Sequence, residues 1–206
     1  MPNLTIIIGS TRPGRAGLPI AQWFAARAKD HGGFDVHVVD LAELDLPLLD
    51  EPNHPRLRQY TRQHTKDWSA IVDAADAFVI VTPEYNYGYP ASVKNAIDYL
   101  HAEWRDKPVG FVSYGGVAAG TRAVQQLKQV LTTLRMLPVF DSVNIPFYSQ
   151  FLDADGTFHA NAVMEQAADA MLDELVRTEA ALRALRPASA PAGESASQSA
   201  SVPAAR

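Results

Sequence analysis

Five short apolar runs punctuate the chain, and each precedes a longer stretch in which apolar residues recur every three or four positions. The runs cover residues 4–8 (LTIII), 34–40 (FDVHVVD), 77–82 (AFVIVT), 109–113 (VGFVS) and 138–145 (PVFDSVNI). Their shortness and richness in Val, Ile and Phe predict β-strands. Residues 18–32 place Ile20, Trp23, Phe24 and Ala28 on one helical face and stop at Gly32-Gly33, where a glycine cap is expected. Residues 55–75 carry Leu57, Tyr60, Trp68, Ile71 and Val72; residues 90–104 open on Pro90. Residues 120–136 repeat Val124, Leu127, Leu131 and Leu134, and residues 161–186 repeat Met164, Met171, Leu175, Leu182 and Leu185. These four stretches predict further helices.

Strand and helix alternate throughout, which implies an α/β protein with a parallel sheet covered on both faces and right-handed crossovers. After Arg186 the composition turns to Pro, Ala, Ser, Gly and Gln. That change predicts one folded domain over 1–186 and a disordered Ala/Ser/Pro-rich tail over 187–206.

Composition narrows the chemistry. The 206 residues suit one α/β domain, and 47% hydrophobic content supplies a core. A net charge of −5 with no basic stripe argues against a nucleic-acid partner. There is no cysteine, so disulfide and thiolate chemistry are excluded. No apolar run is long enough to span a bilayer and none follows a basic leader, so no membrane partner and a cytoplasmic location are expected.

Ligands of open parallel sheets bind beyond the carboxyl ends of the strands. Three loops there are unusual. Residues 9–17 (GSTRPGRAG) combine a turning glycine, the hydroxyls of Ser10 and Thr11, the charges of Arg12 and Arg15, and the free N–H groups of a helix start, which together suit a phosphate. The stretch lacks the Gly-Lys-Ser/Thr ending of a P-loop and the three-glycine dinucleotide spacing. Residues 81–90 (VTPEYNYGYP) offer Tyr85, Tyr87 and Tyr89 as flat surfaces and Asn86 as a ring-edge partner. Residues 113–124 (SYGGVAAGTRAV) bare the backbone at Gly115 and Gly116, where a flat ring can lie. A phosphorylated planar heterocycle such as FMN satisfies all three. His101 and Glu103 are two apart on a predicted helix and do not face each other. Asp153-Ala-Asp155-Gly156 lacks a twelve-residue calcium pattern. No metal site is expected. Lys94 and Asp98 read as a helix-surface pair, and Trp23, Trp68 and Trp104 as core or interface residues.

The stretches GSTRPGR, TPEYNYGYPASVKNAIDYL and SYGG together resemble the NADPH-dependent FMN reductase family over about residues 3–180. The resemblance implies a flavodoxin-like three-layer sandwich with a five-stranded parallel sheet of order 2-1-3-4-5. It also implies noncovalent FMN, with NADPH or NADH as co-substrate and a small-molecule electron acceptor. By resemblance Ser10, Thr11, Arg12 and Arg15 hold the phosphate; Pro83, Glu84, Tyr85 and Asn86 hold ribityl chain and ring; Ser113, Tyr114, Gly115 and Gly116 lie beside the ring. It further implies a homodimer or homotetramer joined through the helix after the tyrosine-rich loop. The flavin performs the hydride transfer, so no residue is assigned as a general base. A single slot without a second nucleotide fingerprint implies ping-pong use by donor and acceptor. Two other readings stay open, a flavodoxin-type electron carrier without substrate turnover and a scaffold that has lost FMN.

Overall fold

The computed structural model describes residues 1–186; the tail predicted over 187–206 lies outside them. Strands β1 (Asn3–Ile8), β2 (Asp35–Asp40), β3 (Ala77–Pro83) and β4 (Pro108–Tyr114) run parallel, and the sheet order is β2-β1-β3-β4-β5, as expected. Two very short strands, β5 (Leu137–Pro138) and β6 (Val143–Ile145), both pair with β4. The helices are α1 (Gly17–His31), the single turn α2 (Leu41–Leu44), α3 (Gln63–Ala74), α4 (Ala91–Asp98), α5 (Thr121–Thr133) and α6 (Ala162–Leu182). Because strand side chains alternate, the sheet feeds two cores. Leu4, Ile6, Ile8, Val79 and Val81 pack with α1 and α6. Ile7, Phe78, Ile80 and Phe111 pack with α3, α4 and α5. Gly32 ends α1 at φ +73, its N–H donating to Lys29 O at 3.2 Å.

The predicted strand over 138–145 is split. Val139 N–H still donates to Val109 O at 3.0 Å, but the N–H groups of Phe140 and Asp141 turn to the Glu174 carboxylate on α6, at 3.0 and 2.7 Å. Pro138 has no N–H to offer, and a carboxylate satisfies the two groups that leave the ladder.

The predicted helix over 55–75 begins only at Gln63. Pro55–Leu57 form a short 3-10 turn that Arg58 ends at φ +51. Glu51 then accepts from Thr61 N at 2.8 Å and Arg62 N at 2.9 Å, at the head of α3. The predicted helix over 90–104 stops at Asp98, and Ala102–Trp104 form another 3-10 turn. Buried Glu103 causes that break: its carboxylate accepts from Tyr60 Oη (2.7 Å), Ser69 Oγ (2.8 Å) and His101 N (3.2 Å). Trp68 and Trp104 are buried with ring centroids 5.9 Å apart. Lys94 and Asp98 form the expected pair at 2.5 Å.

Glu51 makes this loop pH-sensitive. Burial alone would raise its pKa, but the N–H groups of Thr61 and Arg62 outweigh that and lower it to about 2. A lowered carboxylate pKa stabilises the fold fully above the ordinary Glu range, and the contribution disappears as pH falls from about 4.5 to about 2. Glu51→Gln should cost about 1 kcal/mol at pH 7, with the difference from wild type shrinking to nothing near pH 2. Urea titrations at several pH values check this; a difference independent of pH would contradict it.

Candidate functional site

Register brings three loops to one rim. Ile8 pairs with Val81, and Pro83 pairs with Tyr114, so β1, β3 and β4 all release their chains at the same end of the sheet.

The first loop crosses the start of α4 closely. Gly9 N–H donates to Val81 O at 2.9 Å, and Ser92 Oγ donates to Gly9 O at 2.6 Å. A Cβ on Gly9 would lie 2.6 Å from Val93 Cγ2, so only glycine fits. Ser10 is buried, and its hydroxyl shares a 2.7 Å hydrogen bond with Tyr85 Oη. Thr11 and Arg12 are exposed, and Arg12 makes no ion pair among the described residues. Arg15 behaves differently. Its guanidinium is paired with Asp40, at the end of β2, and its buried Nε lacks an acceptor. The other Asp40 oxygen accepts from Ala42 N at 2.9 Å and so caps α2. The N–H groups of Thr11, Gly14, Ala16 and Gly17 have no acceptor among the described residues. Helix α1 opens with neither a side-chain cap nor an acidic residue in its first turn. Free N–H groups, the positive end of a helix dipole and an unpaired arginine form a donor set for a phosphate monoester.

The tyrosine-rich loop is a tight two-residue turn. Tyr85 and Gly88 exchange both backbone bonds, at 2.8 and 2.9 Å, across Asn86 (φ +50) and Tyr87 (φ +73). Asn adopts the left-handed region readily; for Tyr it is costly. The three tyrosines do not pave a single surface. Tyr85 reaches back to Ser10, Tyr87 stands exposed, and Tyr89 packs inward against the α3–α4–α5 core. Glu84, almost buried, pairs with Arg122 and also accepts from Arg122 N at 3.2 Å, so its carboxylate is already engaged.

In the third loop Ser113 and Tyr114 underlie the rim rather than line it, since both are buried. Ser113 Oγ donates to Asn144 Oδ1 at 3.0 Å. The Tyr114 hydroxyl sits against Gly17, where a Cβ would come within 2.7 Å of it. Burial foremost, then the neighbouring Tyr85, pushes its pKa up and keeps it neutral. Gly115 and Gly116 follow, and a Cβ on Gly116 would meet nothing within 4 Å. That open backbone can take a flat face.

Two participants carry no recognisable sequence signal at the residue level. Asp40 orients Arg15, and Arg122 holds Glu84. A third is the segment after β6, which the sequence did not single out: Phe147 N and Tyr148 N donate to Gly116 O and Gly115 O at 3.3 and 3.4 Å. The segment after β6 therefore joins the rim. Of the residues expected at the site, Ser10, Thr11, Arg12, Tyr85, Asn86, Gly115 and Gly116 meet at the rim, Pro83 ends β3 beneath it, and Arg15 and Glu84 are held by ion pairs.

Residues 2–150 match the family model described as NADPH-dependent FMN reductase. An NAD(P)H-dependent FMN reductase of Schizosaccharomyces pombe is 42% identical over 149 residues, covering 70% of this chain and 74% of the relative. A second, from a Nectria species, is 36% identical over 154 residues, covering 71% and 76%. Among solved structures, the flavoenzyme NAD(P)H:(acceptor) oxidoreductase FerB of Paracoccus denitrificans is similar in fold, with a TM-score of 0.70 at 22% identity over 86% of this chain and 99% of that one. The matched span runs from β1 through β6 and contains every loop of the rim, and on that footing the chain belongs to the NADPH-dependent FMN reductase family.

Proposed function

We propose that residues 1–186 act as one FMN-binding unit whose first loop grips the phosphate and whose other two loops hold the ring. Family membership makes the chain an oxidoreductase that uses FMN with NAD(P)H. Bound FMN supplies the hydride chemistry, and the residues of this chain bind, orient and shield. Arg12 and the N–H groups of Thr11, Gly14, Ala16 and Gly17 meet the phosphate. Ser10, fixed by Tyr85, offers its hydroxyl at the base of that loop. Arg15, tethered by Asp40, contributes charge from a fixed position. Gly115 and Gly116 present backbone to one face of the ring, and Tyr85, Asn86 and Tyr87 stand at its edge. The acceptor is a flat, small molecule that takes the nicotinamide's place in one slot. Flavins, quinones and azo compounds fit that description. The observation that carries this reading is the unsatisfied donor set around Arg12 and the buried, orphaned Arg15 Nε, at the same end of the sheet as the open backbone of Gly116.

We further infer a cytoplasmic enzyme that assembles as a homodimer or homotetramer through α4 and α5. Between these helices and the loop before α3 lies an open groove of about 1030 Å³ whose lining mixes apolar Tyr89, Ile97 and Val130 with polar Lys94, Asp98 and Gln126, a surface that a second copy can cover. Among the described residues no helix is long and apolar enough to cross a membrane.

Removing a phosphate ligand should separate FMN from riboflavin. Arg12→Ala and Arg15→Ala should each weaken FMN binding by about 1.5–3 kcal/mol, the scale of hydrogen bonds to charged groups, and leave riboflavin binding unchanged. Fluorescence titration measures both constants; equal losses for the two flavins would reject the phosphate assignment. Steady-state NADPH oxidation against flavin, quinone and azo acceptors should give parallel double-reciprocal lines. Intersecting lines would contradict a shared slot, and a protein that turns over none of them would favour the electron-carrier reading. Sedimentation should show a dimer or tetramer; a monomer at micromolar concentration would contradict the α4–α5 interface.

A further inference from the structure

We propose that Arg122 is a positioning residue, one that locks the two ring-side loops together through Glu84 and Tyr87. Three observations converge on it. Tyr87 is 62% exposed and left-handed at φ +73, a conformation that costs a bulky residue energy and persists only when its surroundings enforce it. The Arg122 guanidinium lies 3.7 Å from the Tyr87 ring centroid, a cation–π stack that holds the ring in place. The same guanidinium pairs with Glu84, whose side chain is only 7% exposed and would be destabilising without a cationic partner.

Glu84 also accepts the Arg122 backbone N–H, in the first turn of α5. One side chain thus joins the turn after β3 to the helix that follows the Gly115–Gly120 loop after β4. Gly88, at the end of the turn, stands close to the next turn of α5: a Cβ there would be 3.5 Å from Gln126 Oε1. The arrangement fixes the separation of the two loops before any ligand arrives. Preorganisation of this kind raises affinity by removing the ordering cost from binding.

This inference rests on the proposal that the flavin ring lies between these loops, and it has its own signature. Loss of the lock acts on the ring and not on the phosphate, so it weakens FMN and riboflavin alike. Arg122→Ala should raise both dissociation constants by about tenfold, the scale of one coupled contact. Arg122→Lys should restore little, because an ammonium keeps the charge but lacks the planar face that stacks on the Tyr87 ring. Tyr87→Phe, which keeps the ring face that Arg122 stacks on, should lose less affinity for both flavins than Tyr87→Leu does. Tyr87→Leu should weaken both, and adding Arg122→Ala to it should have less than the additive effect. Thermal unfolding of each variant establishes that it is folded; if Arg122→Ala is not, Arg122→Lys and the two Tyr87 variants carry the test. Unchanged flavin affinities in Arg122→Ala, or full rescue by lysine, would overturn the inference and leave the binding reading intact. A loss confined to FMN would make Arg122 a phosphate ligand instead. Wild-type protein that binds neither flavin would defeat the binding reading itself.

Discussion

Parallel register across β1, β3 and β4 is the constraint on which the rest of the molecule depends. Ile8 opposes Val81 and Pro83 opposes Tyr114, so three consecutive neighbours in the sheet end together. Gly9 carries the ladder one bond further, to Val81 O, before the chain turns away. A one-residue slip would exchange the faces of Ile6, Ile7 and Ile8 and place each in the wrong core. The two buried cores therefore hold the register, and the register places the rim.

At that rim, carboxylates govern the arginines. Asp40 and Glu84 are both nearly buried, and each holds one guanidinium in a fixed position. Each carboxylate also accepts a backbone N–H at the start of a helix, Asp40 from Ala42 and Glu84 from Arg122. The acids are thus pinned by the backbone before they pin the bases. Arg12, with no such partner among the described residues, keeps its charge available for an anion. Fixed arginines give shape, and the unpaired one gives attraction.

The first four strands were legible because their period and β-branched content are local properties of the chain, whereas the strand order followed from the resemblance of the loop motifs to the family. The fifth was misread as continuous: the hydrogen bonds of Phe140 and Asp141 go to Glu174, thirty-odd residues away, which no local pattern shows. Two helices were also overextended: Glu51 caps the head of α3 from eleven residues upstream, and Glu103 is drawn to Tyr60 and Ser69, 43 and 34 residues away. For the site, the donor-rich first loop and the glycines after β4 were readable as residue types in order. The fates of Glu84 and Arg15 were not, since each depends on a partner 38 or 25 residues away. Three tyrosines in five residues suggested one surface; backbone signs at Asn86 and Tyr87 instead send them in three directions.

A crystal structure of the protein with FMN is the most direct measurement. The phosphate should lie within about 3.2 Å of Ser10 Oγ and the Arg12 guanidinium, with the ring against Gly115 and Gly116 and its edge at Tyr87. A flavin bound at any other edge of the sheet, or a protein that remains colourless after saturation with FMN and dialysis, would contradict the enclosure of the cofactor by these three loops.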